Sequence, residues 1–408
     1  DAPTWCSKQW PRSERRREQD AMTNEQTGTT NHSGESKGKV MVAMSGGVDS
    51  SVAAALMVEQ GYDVIGVTMH LSDAEGDEAE KQGTCCAPDD AHDARRVAAH
   101  LDIPHYVVNY KKSFKKAVID AFVADYQNGV TPSPCVRCND VLKFRMLYQR
   151  AVALGCDFLA TGHYARIVNG PDGSSLLRGV NQSKDQSYFL FGVPRDALAR
   201  VRFPVGELSK DEVREVARRH DLPVANKPES QDICFVPDGD YASFVERHAT
   251  PTTGEVVSTD GTVLGEHAGI HRFTIGQRRG LGLPGGAPRR FVIGISSGDG
   301  RVTVGSREEL QAIGLVADDC NWLGPVPSSG DSVLVRIRHR SGLVPATVLS
   351  VPDSDGGLLE LRFASELEAV APGQAAVLYD PTDGQRVLGG GWIRRAVPAT
   401  TEAVACSA

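Results

Sequence analysis

"KVMVAMSGGVDSSVAAALMVEQGYDVIGVTMH", residues 39–70, sets two apolar runs on either side of a glycine turn and an alanine-rich segment. Residues 39–44 form a short apolar run ending in Ser45-Gly46-Gly47, which reads as a buried strand. Residues 49–60 are rich in helix formers and stop at Gly61, the residue type that takes the left-handed conformation closing many helices. Residues 63–70 repeat the strand pattern. Strand, turn, helix and strand in this order make a βαβ unit, and its crossover requires parallel pairing.

The alternation continues outward from that unit. A helix is expected near 88–101, a strand at 104–110, helices near 113–127 and 139–154, and a strand at 157–163. One more helix is expected at 209–220, where Ser209 and Glu212 have capping-box spacing. The fold class is therefore α/β, a doubly wound parallel sheet over residues 39–245. Beyond about residue 250 short β runs and glycine turns take over: a hairpin at 291–306 and strands within 331–340, 345–351 and 375–380. This predicts a small middle domain at 246–310 and a C-terminal β-barrel at 311–396. Residues 1–38 and 397–408 are expected to be tails, the first disordered because it is polar and lacks either periodicity.

A length of 408 residues exceeds one ordinary core. The formal charge of −8 argues against indiscriminate coating of nucleic acid, but charge is unevenly spread. Residues 71–93 hold eight acidic residues against Lys81, whereas residues 271–307 hold seven arginines against Asp299. Different faces can thus meet different partners. No apolar run reaches membrane-spanning length, and the first residues lack a secretory pattern. Nine sparse, mostly unpaired cysteines fit a reducing compartment, so a cytoplasmic location and no membrane partner are expected.

Residues 43–51, "AMSGGVDSS", lie between the first strand and helix, where backbone N–H groups and the helix dipole can meet phosphate. The Gly-Lys-Ser/Thr ending of a P-loop is missing. The stretch instead resembles the SGGxDS loop of ATP pyrophosphatases, which split ATP between its α and β phosphates and transfer AMP. That resemblance implies ATP contacts from Ala43, Met44, Ser45, Gly46, Gly47, Val48, Asp49 and Ser50, with Asp49 helping to place magnesium and pyrophosphate.

The cysteines extend the resemblance. "TPSPCVRCNDVLKF" (131–144), "ATGHYARI" (160–167), "KDQSYFL" (184–190), "NKPESQDICFVPDGDYASF" (226–244) and "FTIGQRRGLG" (273–282) together resemble the bacterial tRNA-specific 2-thiouridylases over residues 39 to about 395. The family implies an adenine nucleotide alpha hydrolase-like sheet and ATP-dependent 2-thiolation of the wobble uridine, U34, in tRNAs for Lys, Glu and Gln. Adenylation turns the uracil C2 oxygen into a leaving group, and a cysteine persulfide supplies the sulfur nucleophile. By resemblance Cys234 carries the persulfide, fed by a cysteine desulfurase or sulfur-relay protein. Cys138 is the partner cysteine that attacks it, leaving a Cys138–Cys234 disulfide. Placement of Cys138 at the start of a helix beside Arg137 favours its thiolate.

The resemblance also assigns Met69 and Gly162 to the nucleotide. Ser133, Pro134 and Cys135 fall beside the target base, and Lys184, Asp185, Gln186, Arg338 and His339 fall on the tRNA. Cys135 stands where many relatives carry an aspartate proposed for proton transfer. With Cys138 and Cys234 it forms a possible iron-sulfur ligand set like that of related thiolases, a reading ranked below the dithiol. Structural zinc is disfavoured by the lack of a second CxxC or a His pair at zinc spacing. A third reading, a ligase acting on a small molecule, is opposed by the three cysteines and the basic C-terminal half.

Overall fold

The computed structural model describes residues 36–71, 88–171, 173–228, 233–236, 238–283, 289–352 and 357–399. Cys85, Cys86 and nearly all of both expected tails lie outside these residues.

Five parallel strands form the first sheet: β1 (Lys39–Ala43), β2 (Asp63–His70), β3 (His105–Asn109), β4 (Phe158–Thr161) and β7 (Val201–Arg202), in the order β3-β2-β1-β4-β7. Val40, Met41 and Val42 of β1 are wholly buried, since alternate side chains enter cores on both faces of the sheet. One of these cores joins Val40 and Val42 to helices α1 (Val48–Glu59), α2 (Pro88–His100) and α5 (Lys210–Arg219) through Ala53, Val97 and Val213. Helices α3 (residues 111–127) and α4 (residues 134–153) join the strands on the way from β3 to β4. The expected doubly wound sheet is present.

Some boundaries move. Helix α4 starts at Pro134 rather than near 139, because proline lacks the N–H that a first helical residue cannot use and already holds a helical φ. Residues 165–178, given no structure in the sequence reading, form a hairpin of β5 (Ala165–Gly170) and β6 (Gly173–Arg178). A short helix α6 (Tyr241–His248), capped by the Asp240 side chain, was also missed. The strand expected at 331–340 stops at Arg336.

The middle sheet contains β8 (Gly254–Ser258), β9 (Val263–His267), β10 (Phe291–Ile295) and β11 (Val302–Gly305). The expected hairpin is β10 with β11, and Val256, Val292, Val302 and Val304 supply the core. The last six strands close a barrel in the order β12-β15-β14-β13-β16-β17. They are β12 (Gln311–Trp322), β13 (Ser332–Arg336), β14 (Val344–Ser350), β15 (Leu359–Glu368), β16 (Ala375–Tyr379) and β17 (Val387–Pro398), packed around Leu315, Val335, Val348, Leu361 and Leu378.

A buried ionic joint fastens the barrel to the first domain. The side chain of Asp185 is 0% exposed and accepts from Arg178 Nε at 3.1 Å and from Arg336 Nη1 of β13 at 2.9 Å. It also accepts from the Gly179 and Ser187 backbone N–H groups and from Ser187 Oγ, each at 3.1 Å. Ser187 Oγ lies 3.1 Å from the Tyr379 hydroxyl of β16, and the Tyr188 hydroxyl donates to the Ala375 carbonyl at 3.1 Å. The carboxylate expected to contact tRNA is therefore turned inward and used up by five donors. Asp185→Ala should leave two guanidinium groups facing each other in a dry joint and destabilise the chain by about 3–5 kcal/mol. Urea denaturation followed by tryptophan fluorescence measures it, and an unchanged midpoint would disprove the structural role.

Candidate active site

β1 has β2 on one side and β4 on the other, and the chain winds outward from this pair in both directions. The crevice at the C-terminal ends of β1 and β4 is where such sheets take ligands. The loop 44–47 leaves β1 there. Its root is fixed because the Met44 N–H donates to the Val67 carbonyl and Thr68 Oγ1 donates to the Met44 carbonyl, both at 2.8 Å. Gly46 has φ +74°, and a Cβ there would lie 2.2 Å from the Asp90 carbonyl oxygen. Gly47 caps α1 without a side-chain hydrogen bond, so the first amides of α1 keep their capacity for an anion. Ser45 Oγ and Ser50 Oγ are 3.2 Å apart, and Ser50 Oγ donates to the Gly47 carbonyl at 3.1 Å.

Gly162 follows β4, and a Cβ on it would fall 2.6 Å from both the Asp49 carbonyl carbon and the Ser50 nitrogen. Met69, near the end of β2, is 8% exposed at the same end of the sheet. The loop, Gly162 and Met69 thus share one end of the sheet.

Three residues absent from the sequence reading complete this region. Asp49 Oδ1 accepts from the Tyr164 hydroxyl at 2.8 Å and from Lys210 Nζ at 2.7 Å. Lys210 is the first residue of α5, just after the Ser209 cap whose box with Glu212 forms as expected. A lysine there opposes the helix dipole, and that misfit was a readable hint of another duty. Lys227 Nζ reaches Asp90 at 2.6 Å, Asp93 at 2.7 Å and the Gly46 carbonyl at 3.2 Å. Burial opposes its charge, but the two carboxylates hold its pKa above the ordinary lysine value.

The early start of α4 corrects the placement of Cys138. It lies one turn inside the helix, where the dipole effect has faded, and the Arg137 guanidinium expected to favour its thiolate pairs with Asp125 and stacks on Trp392. From Cys138 to Leu147 the helix has the wide π winding, often found at functional sites. Lys143 lies five residues after Cys138 on this stretch. Lys143 Nζ lies 3.4 Å from His163 Nε2, and Thr161 Oγ1 lies 2.7 Å from His163 Nδ1. Burial first, then Lys143, drives the His163 pKa well below the usual value, so the ring is neutral. The ammonium donates to Nε2, which puts the ring proton on Nδ1, facing Thr161.

Cys135 is exposed and Cys138 and Cys234 are half-buried, all three as thiols. Phe235, next to Cys234, packs edge-on against Phe122 at 5.1 Å and Phe114 at 5.7 Å, both on α3. One turn beyond Phe122, Asp125 accepts from Arg137 at 3.3 Å. Helix α3 therefore anchors both cysteine segments. Among the described residues no group of three or more His, Cys, Asp or Glu side chains is placed to hold a metal, so the three thiols do not fit an iron-sulfur cluster here.

Of the residues expected to face RNA, Ser133 and Pro134 are buried at the start of α4 and Lys184 is half-buried in a turn. Gln186 Oε1 accepts from the Tyr164 N–H at 3.0 Å. Arg338 is exposed and donates to the Glu368 carbonyl at 2.7 Å, while the His339 ring lies 4.4 Å from that of Phe189. The arginine-rich stretch is less bare than its sequence suggests. Glu246 comes in from α6 to pair with Arg272, and Glu368 from β15 pairs with Arg307 at 2.6 Å. Arg278 and Arg279 stay exposed.

Three family models match the chain: the tRNA methyl transferase HUP domain over residues 38–238, the tRNA methyl transferase PRC-barrel domain over 242–306, and the aminomethyltransferase beta-barrel domain over 312–393. The tRNA-specific 2-thiouridylase MnmA of Geobacter metallireducens is 50% identical over 365 residues, covering 88% of this chain and 97% of that protein. The proteins of the same name from Geotalea uraniireducens and Rhodospirillum rubrum are 47% and 48% identical, covering 89% and 87% of this chain and 96% of each relative. Among solved structures, a 4-thiouridine synthetase–RNA complex with bound ATP is similar at 18% identity and TM-score 0.30, covering 52% of this chain and 53% of that one. The NMN synthetase of Francisella tularensis is similar at 18% identity and TM-score 0.29, covering 52% and 77%. With identities near one half along nearly the whole of each relative, the chain belongs to the tRNA-specific 2-thiouridylase family.

Proposed function

We propose that this protein is a tRNA-uridine 2-sulfurtransferase that uses ATP to replace the C2 oxygen of the wobble uridine with sulfur, in tRNAs of the Lys, Glu and Gln type. The observation that carries the reading is the meeting of two segments at one end of the sheet: the SGGVDSS loop abuts Gly162, and Lys143, on the same helix as Cys138, reaches the adjacent His163. Nucleotide loop and nucleophile helix thus converge on two consecutive residues.

In this reading the loop amides and the first turn of α1 bind the polyphosphate, and Lys210 adds a cation. Asp49, a hard carboxylate at a phosphate loop, suits magnesium, which would neutralise the departing pyrophosphate. The uracil C2 oxygen attacks the α phosphorus and pyrophosphate leaves. The terminal sulfur of a Cys234 persulfide, delivered by a cysteine desulfurase or sulfur-relay protein, then attacks C2 and AMP leaves with the oxygen. Cys138 thiolate attacks Cys234 Sγ, the sulfur stays on the uridine, and a Cys138–Cys234 disulfide forms for a thiol reductant to reopen. The base must leave its stack to be reached. We place the reaction in the cytoplasm. No helix among the described residues is long and apolar enough to cross a membrane.

Asp49→Ala should abolish transfer of AMP to tRNA while leaving tRNA affinity within about two-fold, and Lys210→Met should weaken ATP binding by roughly ten-fold through loss of a phosphate cation. Nucleotide titration and an AMP-transfer assay read both, and full transfer by Asp49→Ala would remove the loop from the mechanism. Cys234→Ser should adenylate tRNA yet accept no labelled sulfur, whereas Cys138→Ser should load sulfur on Cys234 and stall before release. Label on the Cys234→Ser protein at the wild-type level would overturn that assignment. Affinity for tRNA should fall steeply with salt, and replacing Arg278 and Arg279 by Gln should flatten the log–log slope by about 1–2. An unchanged slope would place the RNA elsewhere.

A further inference from the structure

Gly46 and Gly47 carry no side chains, so the peptide between them is oriented by what its own backbone atoms meet. The carbonyl that follows it is fixed locally: Gly47 O accepts from Ser50 Oγ at 3.1 Å and from Ser51 Oγ at 2.8 Å. The Gly46 carbonyl is held from 181 residues away. Lys227 Nζ donates to it at 3.2 Å, and the same ammonium donates to Asp90 Oδ1 at 2.6 Å and to Asp93 Oδ2 at 2.7 Å. Both carboxylates stand near the start of α2, whose backbone lies so close to the loop that a Cβ on Gly46 would fall 2.2 Å from the Asp90 carbonyl oxygen.

Lys227 has a firm root. Its N–H donates to the Val224 carbonyl at 2.9 Å, and the Ala225 carbonyl accepts from Arg214 of α5 at 3.3 Å. Leu222 and Val224 are buried in the core that also holds Val52 of α1 and Val97 of α2. Burial opposes the charge of the ammonium, yet its two carboxylates keep it charged. In a trans peptide the carbonyl and the following N–H lie in one plane and point opposite ways. With the Gly46 oxygen drawn to Lys227, the Gly47 N–H is turned away from it, at the residue that caps α1. A flip of this peptide would put an oxygen in place of that N–H, and an oxygen repels phosphate.

We propose that Lys227 is a positioning residue for AMP transfer: it ties the Gly46 carbonyl to the start of α2 and so keeps the Gly47 N–H, rather than a carbonyl oxygen, presented to the phosphates of ATP. The proposal rests on the loop's role as the nucleotide site, given above. A lysine near a phosphate loop also attracts anions by its charge, so the test separates that effect from the hold on the peptide. Lys227→Met removes both. Lys227→Met combined with Asp93→Asn lacks the hold but restores the net charge of the cluster, since one positive and one negative group are lost together.

The experiment titrates ATP, pyrophosphate and adenosine against the full chain at equilibrium, with AMP transfer and tRNA affinity measured in parallel. Lys227→Met should weaken ATP and pyrophosphate by about ten-fold, the scale of one lost hydrogen bond to a charged group. KM for ATP in AMP transfer should rise in step. Adenosine, which has no phosphate, and tRNA should bind within about two-fold of wild type, which a general loss of structure would not allow. The double variant should stay at least about five-fold weaker than wild type for ATP and pyrophosphate. It strands one carboxylate fewer, and it keeps the test valid if the single variant does not fold. Wild-type affinity for pyrophosphate in the double variant would overturn the proposal, because charge alone would then explain the lysine, and so would a loss for adenosine equal to that for ATP. Failure of the loop reading itself has a separate sign, full AMP transfer by Asp49→Ala.

Discussion

At Gly162 the end of β4 comes so near the first turn of α1 that a methyl group would sit 2.6 Å from the Ser50 nitrogen. Much of the candidate site depends on that approach. On the residues before and after Gly162, the Thr161 hydroxyl meets His163 Nδ1 and His163 Nε2 receives Lys143 from the cysteine helix. Two residues on, the Tyr164 hydroxyl meets Asp49 from the opposite wall of the crevice. A side chain at 162 would push the two walls apart, and with them the nucleotide loop from the helix bearing Cys138. The polar groups follow from this spacing. Asp49 shares one oxygen between a tyrosine and a lysine, and a divalent cation arriving with phosphates would compete for that carboxylate.

The barrel does more than add a surface. Its strands close on themselves, so no edge is left to pair, and it docks through groups that the first domain cannot satisfy alone. Tyr188 has its hydroxyl on the backbone of Ala375, Asn321 of β12 donates to the carbonyls of Phe191 and Val193 at 2.6 and 2.9 Å, and Arg336 brings a second guanidinium to Asp185. A motif that the family resemblance gives to RNA, "KDQSYFL", thus serves largely as the seat of the barrel. Lys184 stays at its rim, half-buried.

Much of this was legible beforehand because the informative signals are local. Strand and helix periods around residues 39–70, the glycine turn and the Ser209–Glu212 box all report on neighbours a few residues away. The hairpin of β5 and β6 has such a local signal too, Asn169-Gly170 and Asp172-Gly173 between apolar runs. Nothing comparable marks the meeting of Asp49 with Lys210, 161 residues on, or of Asp185 with Arg336. Charge seen along the chain also misleads. The stretch 271–307 looks nearly free of acids, yet Glu246 and Glu368 fold against it. The placement of Cys138 differs for another reason: the helix was expected to begin at Asn139, whereas Pro134, with no N–H to lose and a helical φ, starts it one turn earlier.

The joint at Asp185 also sets an order of events when the chain is made. A ribosome delivers Asp185 151 residues before Arg336, which at roughly 5–20 residues per second is an interval of about 8–30 s. During that time the carboxylate has Arg178 and its local backbone donors but lacks the second guanidinium, and Tyr188 has no carbonyl on β16 to meet. The first domain then carries a seam open to water where the finished protein has a buried one. That seam is completed only once β13 and β16 have both been made. A partly made chain can therefore hold the whole parallel sheet, complete at Arg202, while the seat of its barrel is still open to water.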